Sequence, residues 1–137
     1  MRHRARHVIA LLLAALLAAG PCHVAAQSAL ADLLTRAATM SDAGQHAEAY
    51  ALLAAEEDTH IGEIAYDYAL GRAALHAGRP DRATIAFARV LALDPYHPRA
   101  LFGLARIALE EGDIEGCRPF LDRAIQYFPD FPEAKAL

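Results

Sequence analysis

The stretch Ile64–His97, IAYDYALGRAALHAGRPDRATIAFARVLALDPYH, contains two helical patterns joined by a glycine turn. Apolar residues recur at helical spacing on both sides of Gly78, and Asp94-Pro95 ends the second pattern. Pro80 suits the first turn of a helix, where its missing N–H group costs nothing. The stretch therefore predicts one helix–turn–helix unit.

The same pattern recurs on both sides of this stretch, always at the interval that separates Gly44 from Gly78. The matching sets are Gly44, Gly78 and Gly112; Ala49, Ala83 and Cys117; Leu53, Phe87 and Leu121; Leu70 and Leu104; Leu91 and Ile125; and Pro95 and Pro129. We therefore divide the chain into units 30–63, 64–97 and 98–131, with residues 132–137 as the start of a fourth unit or a cap. Because no convincing strand pattern is present, the predicted fold class is all-α.

The units resemble the tetratricopeptide repeat family, whose repeat is a helix–turn–helix of about 34 residues. In the second unit the resemblance rests on Leu70, Gly71, Gly78, Ala83, Phe87 and Pro95. The third unit keeps Leu104, Gly112, Leu121 and Pro129 and has Ala105 in place of the glycine, whereas the first keeps Gly44, Ala49 and Leu53. The resemblance implies a helical solenoid of about three repeats over residues 27–137.

Side-chain size at the repeat positions agrees with helices packed closely together. Small residues allow neighbouring helices to approach, and larger apolar residues fill the space between them. The small positions are Gly71, Ala83, Ala105 and Cys117, and the larger ones are Leu70, Phe87, Leu104 and Leu121. We interpret Cys117 as a buried apolar residue. Pro119 departs from the pattern, and we expect it to delay or kink the last helix.

The segment from Met1 to Ala26 has the layout of a secretory signal peptide. Three arginines, Arg2, Arg4 and Arg6, precede the apolar run Val8–Ala19. A membrane anchor needs about 20 apolar residues, and this run is shorter. We therefore predict an exported, periplasmic protein.

The segment after the apolar run supplies a cleavage site. Val24 and Ala26 fit positions −3 and −1, so cleavage is expected near Ala26. A retained leader, or one lipidated at Cys22, is the alternative, although the preceding Gly20-Pro21 departs from the lipobox pattern.

Charge and cysteine content limit the partners of residues 27–137. The leader holds three of the 13 basic residues and none of the 17 acidic ones, so this region has ten basic against seventeen acidic residues. An acidic chain is not expected to bind nucleic acid or an anionic membrane surface. Cys117 is the one cysteine left after cleavage, which excludes an internal disulfide and a cysteine-based zinc site. We expect no cofactor and no membrane contact after cleavage.

No catalytic set is visible in the sequence. The histidines of residues 27–137 are His46, His60, His76 and His97, and none lies four residues from another. We interpret them as exposed turn residues, with His97 at the rim of the joint between units two and three. Neither serine of this region lies in a GxSxG motif, and the glycines follow the repeat instead of forming a phosphate loop. The prediction is no enzyme and no metal site, and a metal-dependent or acid/base enzyme using the His97 region is the alternative.

The family resemblance implies that the first helix of each unit lines a concave groove. Residues spaced by three or four share one helix face. The candidate groove residues are Tyr68, Arg72, His76, Arg99, Phe102 and Arg106. Forked guanidinium donors and flat aromatic rings suit an extended peptide with acidic groups. In the alternative, the aromatic side chains pack between units and the arginines pair with acids such as Asp67 and Glu110.

We therefore predict a periplasmic interaction module, a scaffold or adaptor that binds a protein or peptide partner in the groove. The alternative is an amino-terminal repeat module, or a fragment, of a larger outer-membrane or envelope secretion protein. Self-association through the apolar end of the array is a further expectation.

Overall fold

The computed structural model describes residues 21–130 and Ala136, with side chains described from Ala25 onward. These residues form seven α-helices and no strand, so the all-α prediction is confirmed over the described part of the chain. The helices are α1 Pro21–Asp42, α2 His46–Ala54, α3 Glu57–His60, α4 Ile64–His76, α5 Pro80–Leu93, α6 Pro98–Glu110 and α7 Ile114–Tyr127.

Two predicted segments lie largely outside the described residues. The apolar run of the leader falls within residues 1–20, and all of the predicted cap except Ala136 is likewise not described. Residues up to Leu33 form one compact unit and residues 34–137 form a second. All contacts discussed below belong to the second unit.

Helix starts repeat at the interval found in the sequence. Helices α2, α5 and α7 begin at His46, Pro80 and Ile114, and α4 and α6 begin at Ile64 and Pro98. Helix α4 pairs with α5 and α6 pairs with α7, while α5 packs on α6 and α2 packs on α4. The second helix of the first unit is short, because α2 has 9 residues and is followed by the four-residue α3.

Each helix pair is joined by the same glycine turn. Gly44, Gly78 and Gly112 have φ of 78°, 70° and 82°, the left-handed region that glycine adopts without steric cost. At the second turn, the N–H of Gly78 donates to the carbonyl of Leu75 and the N–H of Arg79 donates to that of Ala74. This pair of bonds is the Schellman motif, which satisfies the last carbonyls of a helix.

Replacing Gly78 with alanine should therefore destabilise the protein. A left-handed non-glycine residue costs about 1 kcal/mol or slightly more, so we expect a loss of about 1 kcal/mol in the free energy of unfolding. Urea unfolding followed by circular dichroism at 222 nm measures it. Asparagine tolerates this conformation better, so Gly78→Asn should lose less. Equal losses for the two variants would contradict the role assigned to φ.

The core of the second compact unit is centred on Phe87 of α5, which is 2% exposed. Its ring lies between Gly71 of α4 and Gly103 of α6. A Cβ atom added to Gly71 would lie 2.7 Å from Cε1 of Phe87, and one added to Gly103 would lie 2.5 Å from Cε2. The two glycines thus allow one aromatic ring to fill the space between three helices.

Pro119 does not delay the last helix. Helix α7 begins at Ile114, and the carboxylate Oδ1 of Asp113 accepts a hydrogen bond of 2.9 Å from the N–H of Gly116. This cap fixes the helix start ahead of Pro119, which removes a single N–H donor from the helix interior. The expected delay is therefore wrong. Cys117 is 6% exposed, and its Sγ lies 3.1 Å from the carbonyl oxygen of Ile114.

Candidate functional site

The six candidate groove residues lie on two helices that contact each other, α4 and α6. We call this set the strip. His76 and Arg99 are exposed and the other four are half-buried. The members of the strip are Tyr68, Arg72 and His76 on α4 and Arg99, Phe102 and Arg106 on α6.

Tyr68 contributes to packing between repeats as well as to the strip. Its ring centroid lies 6.1 Å from that of Phe87 and 5.2 Å from that of His97. It packs at the edge of the core cluster that contains Phe87. Phe102 similarly packs against the cluster of Leu101 and Ala124. The aromatic side chains therefore combine interior packing with a partly accessible face.

His97 caps helix α6. Its Nδ1 accepts a hydrogen bond of 3.2 Å from the N–H of Ala100. Burial lowers the pKa of His97, and the charge of Arg99 lowers it further, although Asp94 acts in the opposite direction. A neutral imidazole is the form that can accept this bond. The sequence did not predict the half-burial of this ring.

The three arginines of the strip differ in their pairing. Nε of Arg106 lies 3.2 Å from Oε1 of Glu110, one helical turn away. Within residues 21–130, Arg72 and Arg99 form no ion pair with a carboxylate. The alternative of local pairing thus holds for Arg106 and, among the described residues, not for Arg72 or Arg99.

His46 and His76 are stacked, although they lie far apart in the sequence. Their ring centroids lie 5.1 Å apart at an interplanar angle of 25°. Burial lowers the pKa of His76, and the charges of Arg106, His46 and Arg72 lower it further, while Glu110 raises it. Among the described atoms, Nδ1 of His46 is buried without a hydrogen-bond partner. The interpretation of both as separate turn residues missed this pair.

The repeat offered one signal for the histidine pair. His46 is the first residue of α2 and His76 is the last residue of α4. Since α2 packs on α4, the start of the second helix in one unit lies near the end of the first helix in the next. A prediction that the two rings stack would have required helix boundaries that are accurate to one residue.

A polar network joins the first and second units, and sequence reasoning missed it as well. Asp67 is fully buried, and its carboxylate accepts hydrogen bonds from Nε of Arg89 at 2.8 Å and from the N–H of Gly62 at 3.0 Å. Nη1 of Arg89 also donates to Oε1 of Glu57 at 3.0 Å. Arg82 donates to the same Glu57 carboxylate. Asp67 therefore pairs with Arg89 of α5 and not with the strip.

The buried hydroxyl of Tyr66 lies close to this network and donates a hydrogen bond to the carbonyl of Leu53. Burial, followed by the charges of Glu57 and Asp67, raises the pKa of Tyr66 to about 12. The hydroxyl consequently stays protonated and continues to bond α4 to the end of α2 at neutral pH.

A separate open pocket of about 340 Å³ lies near the end of α7. It is lined by Pro98, Tyr127, Phe128, Pro129 and Asp130. The ring of Tyr127 also contacts that of Tyr96, at a centroid distance of 4.1 Å and an interplanar angle of 38°. None of the strip residues lines this pocket, so the two surfaces are distinct.

Nothing in the described part of the chain groups three or more His, Cys, Asp or Glu side chains in a way that could hold a metal ion. The described helices also include none that is long and apolar enough to cross a membrane.

Comparisons with known proteins find a family match over the later part of the chain. Residues 74–137 match the model of the tetratricopeptide repeat family. No curated protein matches the sequence significantly.

Three similar solved structures are of SycD, the type III secretion translocator chaperone of Yersinia enterocolitica. The complex of SycD with a peptide of the translocator YopD gives a TM-score of 0.70 at 21% identity, over 80% of this chain and 83% of that chain. SycD itself gives a TM-score of 0.71 at 21% identity, over 80% of this chain and 76% of that chain. Its alternative dimer gives a TM-score of 0.70 at 21% identity, over 80% of this chain and 83% of that chain. The predicted helical-repeat fold is confirmed by these likenesses.

Proposed function

Since residues 74–137 match the tetratricopeptide repeat family, we propose that the chain is a protein-interaction module that binds an acidic, extended segment of a partner protein along the strip. Arg72 and Arg99 carry this proposal, because within the described residues neither guanidinium group pairs with a carboxylate although the chain is acidic. Tyr68 and Phe102 add flat apolar surface beside them. Arginine and aromatic side chains are the residues that contribute most to binding at protein interfaces.

The solved complex of SycD with a YopD peptide supports a peptide as the kind of partner. That complex has a similar fold at 21% identity. The chemistry of the partner proposed for this chain therefore rests on the residues of the strip. Carboxylates suit paired or neighbouring guanidinium groups because their geometry and charge match. An acidic segment is therefore the proposed ligand.

The proposed module catalyses nothing. The histidine that sequence reasoning considered as an acid/base residue, His97, uses Nδ1 to cap α6. A ring nitrogen that holds a helix start is not free to transfer protons. The capping role thus supports a structural assignment for His97.

The proposed location is the periplasm, after cleavage near Ala26. The arginine-flanked apolar run at the start of the sequence supports export. Fractionation of bacteria that express the full chain, followed by mass determination of the intact protein, tests it. We expect the periplasmic fraction to contain a protein whose mass corresponds to a chain that begins at Gln27. Full-length protein in the cytoplasm would contradict the proposed location.

Removing the charges of the strip should abolish partner binding. The variant Arg72→Gln, Arg99→Gln, Arg106→Gln should weaken binding about 100-fold or more, because each truncated interfacial arginine commonly costs more than about 1 kcal/mol. Affinity capture from bacterial extract with the immobilised protein, with the captured protein identified and quantified by mass spectrometry, measures the change.

A charge-matched control separates the strip from net charge. Arg36→Gln, Arg79→Gln, Arg118→Gln removes three exposed arginines elsewhere and should capture the partner as the unmodified protein does. Circular dichroism should show equal helicity for all three proteins. Undiminished capture by the strip variant would overturn the groove assignment.

A further inference from the structure

We infer that His76, which stacks on His46, makes binding of an acidic segment to the strip stronger as the pH falls. This inference rests on the proposed function and adds regulation of the same site. The mechanism is uptake of one proton by His76 when a carboxylate of the segment binds beside it. The pair joins the first and second repeats, since His46 begins α2 and His76 ends α4.

The charges around His76 explain why the free protein does not hold this proton at neutral pH. Arg72 lies one turn earlier on α4, and His46 stacks on the ring from α2. The charge of Arg106 on α6 also acts on the ring and lowers its pKa. Glu110 is the carboxylate that favours the charged ring, but it is paired with Arg106 at 3.2 Å. Burial and the positive neighbours together keep the pKa of His76 below its ordinary value of 6.5.

His76 is the member of the stack that belongs to the strip, four residues after Arg72 on α4. Nδ1 of His46 is buried and has no hydrogen-bond partner among the described residues. His76 is exposed, so a carboxylate bound beside Arg72 can approach its ring.

A bound carboxylate favours the protonated form of His76, because it supplies the negative charge that the strip lacks. An opposite charge within a few Å raises the pKa of an imidazole. The complex therefore binds a proton more tightly than the free protein does. By linkage, affinity increases as the pH falls through the interval between the pKa of His76 in the complex and its lower pKa in the free protein.

The test uses two labelled peptides and the full protein. The acidic probe is a short fluorescein-labelled peptide in which Asp alternates with Leu, and the neutral probe has Asn in place of Asp. Asp has an ordinary pKa of about 3.9 and stays ionised down to pH 5.5. We expect the affinity for the acidic probe, measured by fluorescence anisotropy, to rise about fivefold from pH 7.5 to pH 5.5, within the tenfold per pH unit that one proton permits.

The histidine variants identify the group that responds. His76→Gln should bind the acidic probe with an affinity that does not rise on acidification. His60→Gln is the matched control, because His60 pairs with Glu63 away from the strip, and it should retain the rise. Calorimetry of the unmodified protein at pH 6.0, in two buffers of different ionisation enthalpy, measures the proton uptake without any substitution.

The outcomes separate this inference from the function it rests on. Equal affinity for the acidic probe at both pH values, or no proton uptake, overturns the inference and leaves the proposed function intact. A rise that persists in His76→Gln also overturns it. No binding of the acidic probe at either pH overturns the proposed function and the inference together.

Discussion

Replacing Phe87 with alanine should lower the free energy of unfolding by about 4 kcal/mol, a large part of the roughly 5–15 kcal/mol typical of a folded domain. The side chain is 2% exposed and its ring fills the space between α4, α5 and α6. Alanine would leave a cavity that the rigid helix backbones at Gly71 and Gly103 cannot close. Urea unfolding monitored by circular dichroism at 222 nm measures the loss.

Further variants test whether the Phe87 ring itself is responsible for this stability. Phe120→Ala removes a half-buried ring at the edge of the same core and should cost clearly less. Gly103→Ala should also destabilise, by about 2 kcal/mol, because its Cβ would lie 2.5 Å from Phe87. Combining Gly103→Ala with Phe87→Leu should cost less than the sum of the two changes. A loss at Phe87 no larger than that at Phe120 would contradict this account of the core.

Replacing Asp67 with alanine is the second substitution with a large expected effect, a loss of about 3 kcal/mol in unfolding free energy. The carboxylate is fully buried, and the side chain of Arg89 is 21% exposed. Removing the Asp67 carboxylate leaves Arg89, in a site with little water, with Glu57 as its remaining carboxylate partner, and this loss accounts for most of the cost. Gly62 would lose its hydrogen-bond acceptor at the same time. Chemical unfolding of the variant provides the measurement.

Two further variants distinguish the loss of the Asp67 charge from the loss of the shape of its side chain. Asp67→Asn keeps the shape of the side chain but not its charge, so it should cost less than alanine. The double variant Asp67→Leu, Arg89→Met replaces the ion pair with apolar side chains and should regain part of the stability lost by Asp67→Ala. If the double variant is no more stable than Asp67→Ala, the explanation by the lost partner of Arg89 is wrong.

The repeat architecture could be predicted because its determinants are local. Gly78 and Gly112 mark turns by conformational preference, and Pro80 and Pro98 mark helix starts, so their spacing alone places the helices. Tyr68 could likewise be assigned to a helix face from its spacing to the other residues of the same helix. These properties depend on a few neighbouring residues and not on how the helices pack.

The contacts between helices could not be predicted, because they depend on the distance and the angle at which the helices pack. The Asp67–Arg89 pair joins residues 22 positions apart, and the His46–His76 stack joins residues on helices of different units. Gly103 was overlooked for the same reason. It interrupts no helical pattern, and only the position of the Phe87 ring shows why a larger residue would not fit.

The fit of Phe87 between two glycines also bears on how an array of like units diversifies. Units copied from one ancestor begin as interchangeable parts, but the equivalent of Phe87 is Leu53 in the first unit and Leu121 in the third. The glycines are not shared either, because Ala105 stands at the position of Gly71 and Ala69 at that of Gly103. Exchanging the second and third units would separate the ring from one of its two glycines. The order of these repeats is therefore fixed by shape, and a shuffled chain with the same composition would lack this core.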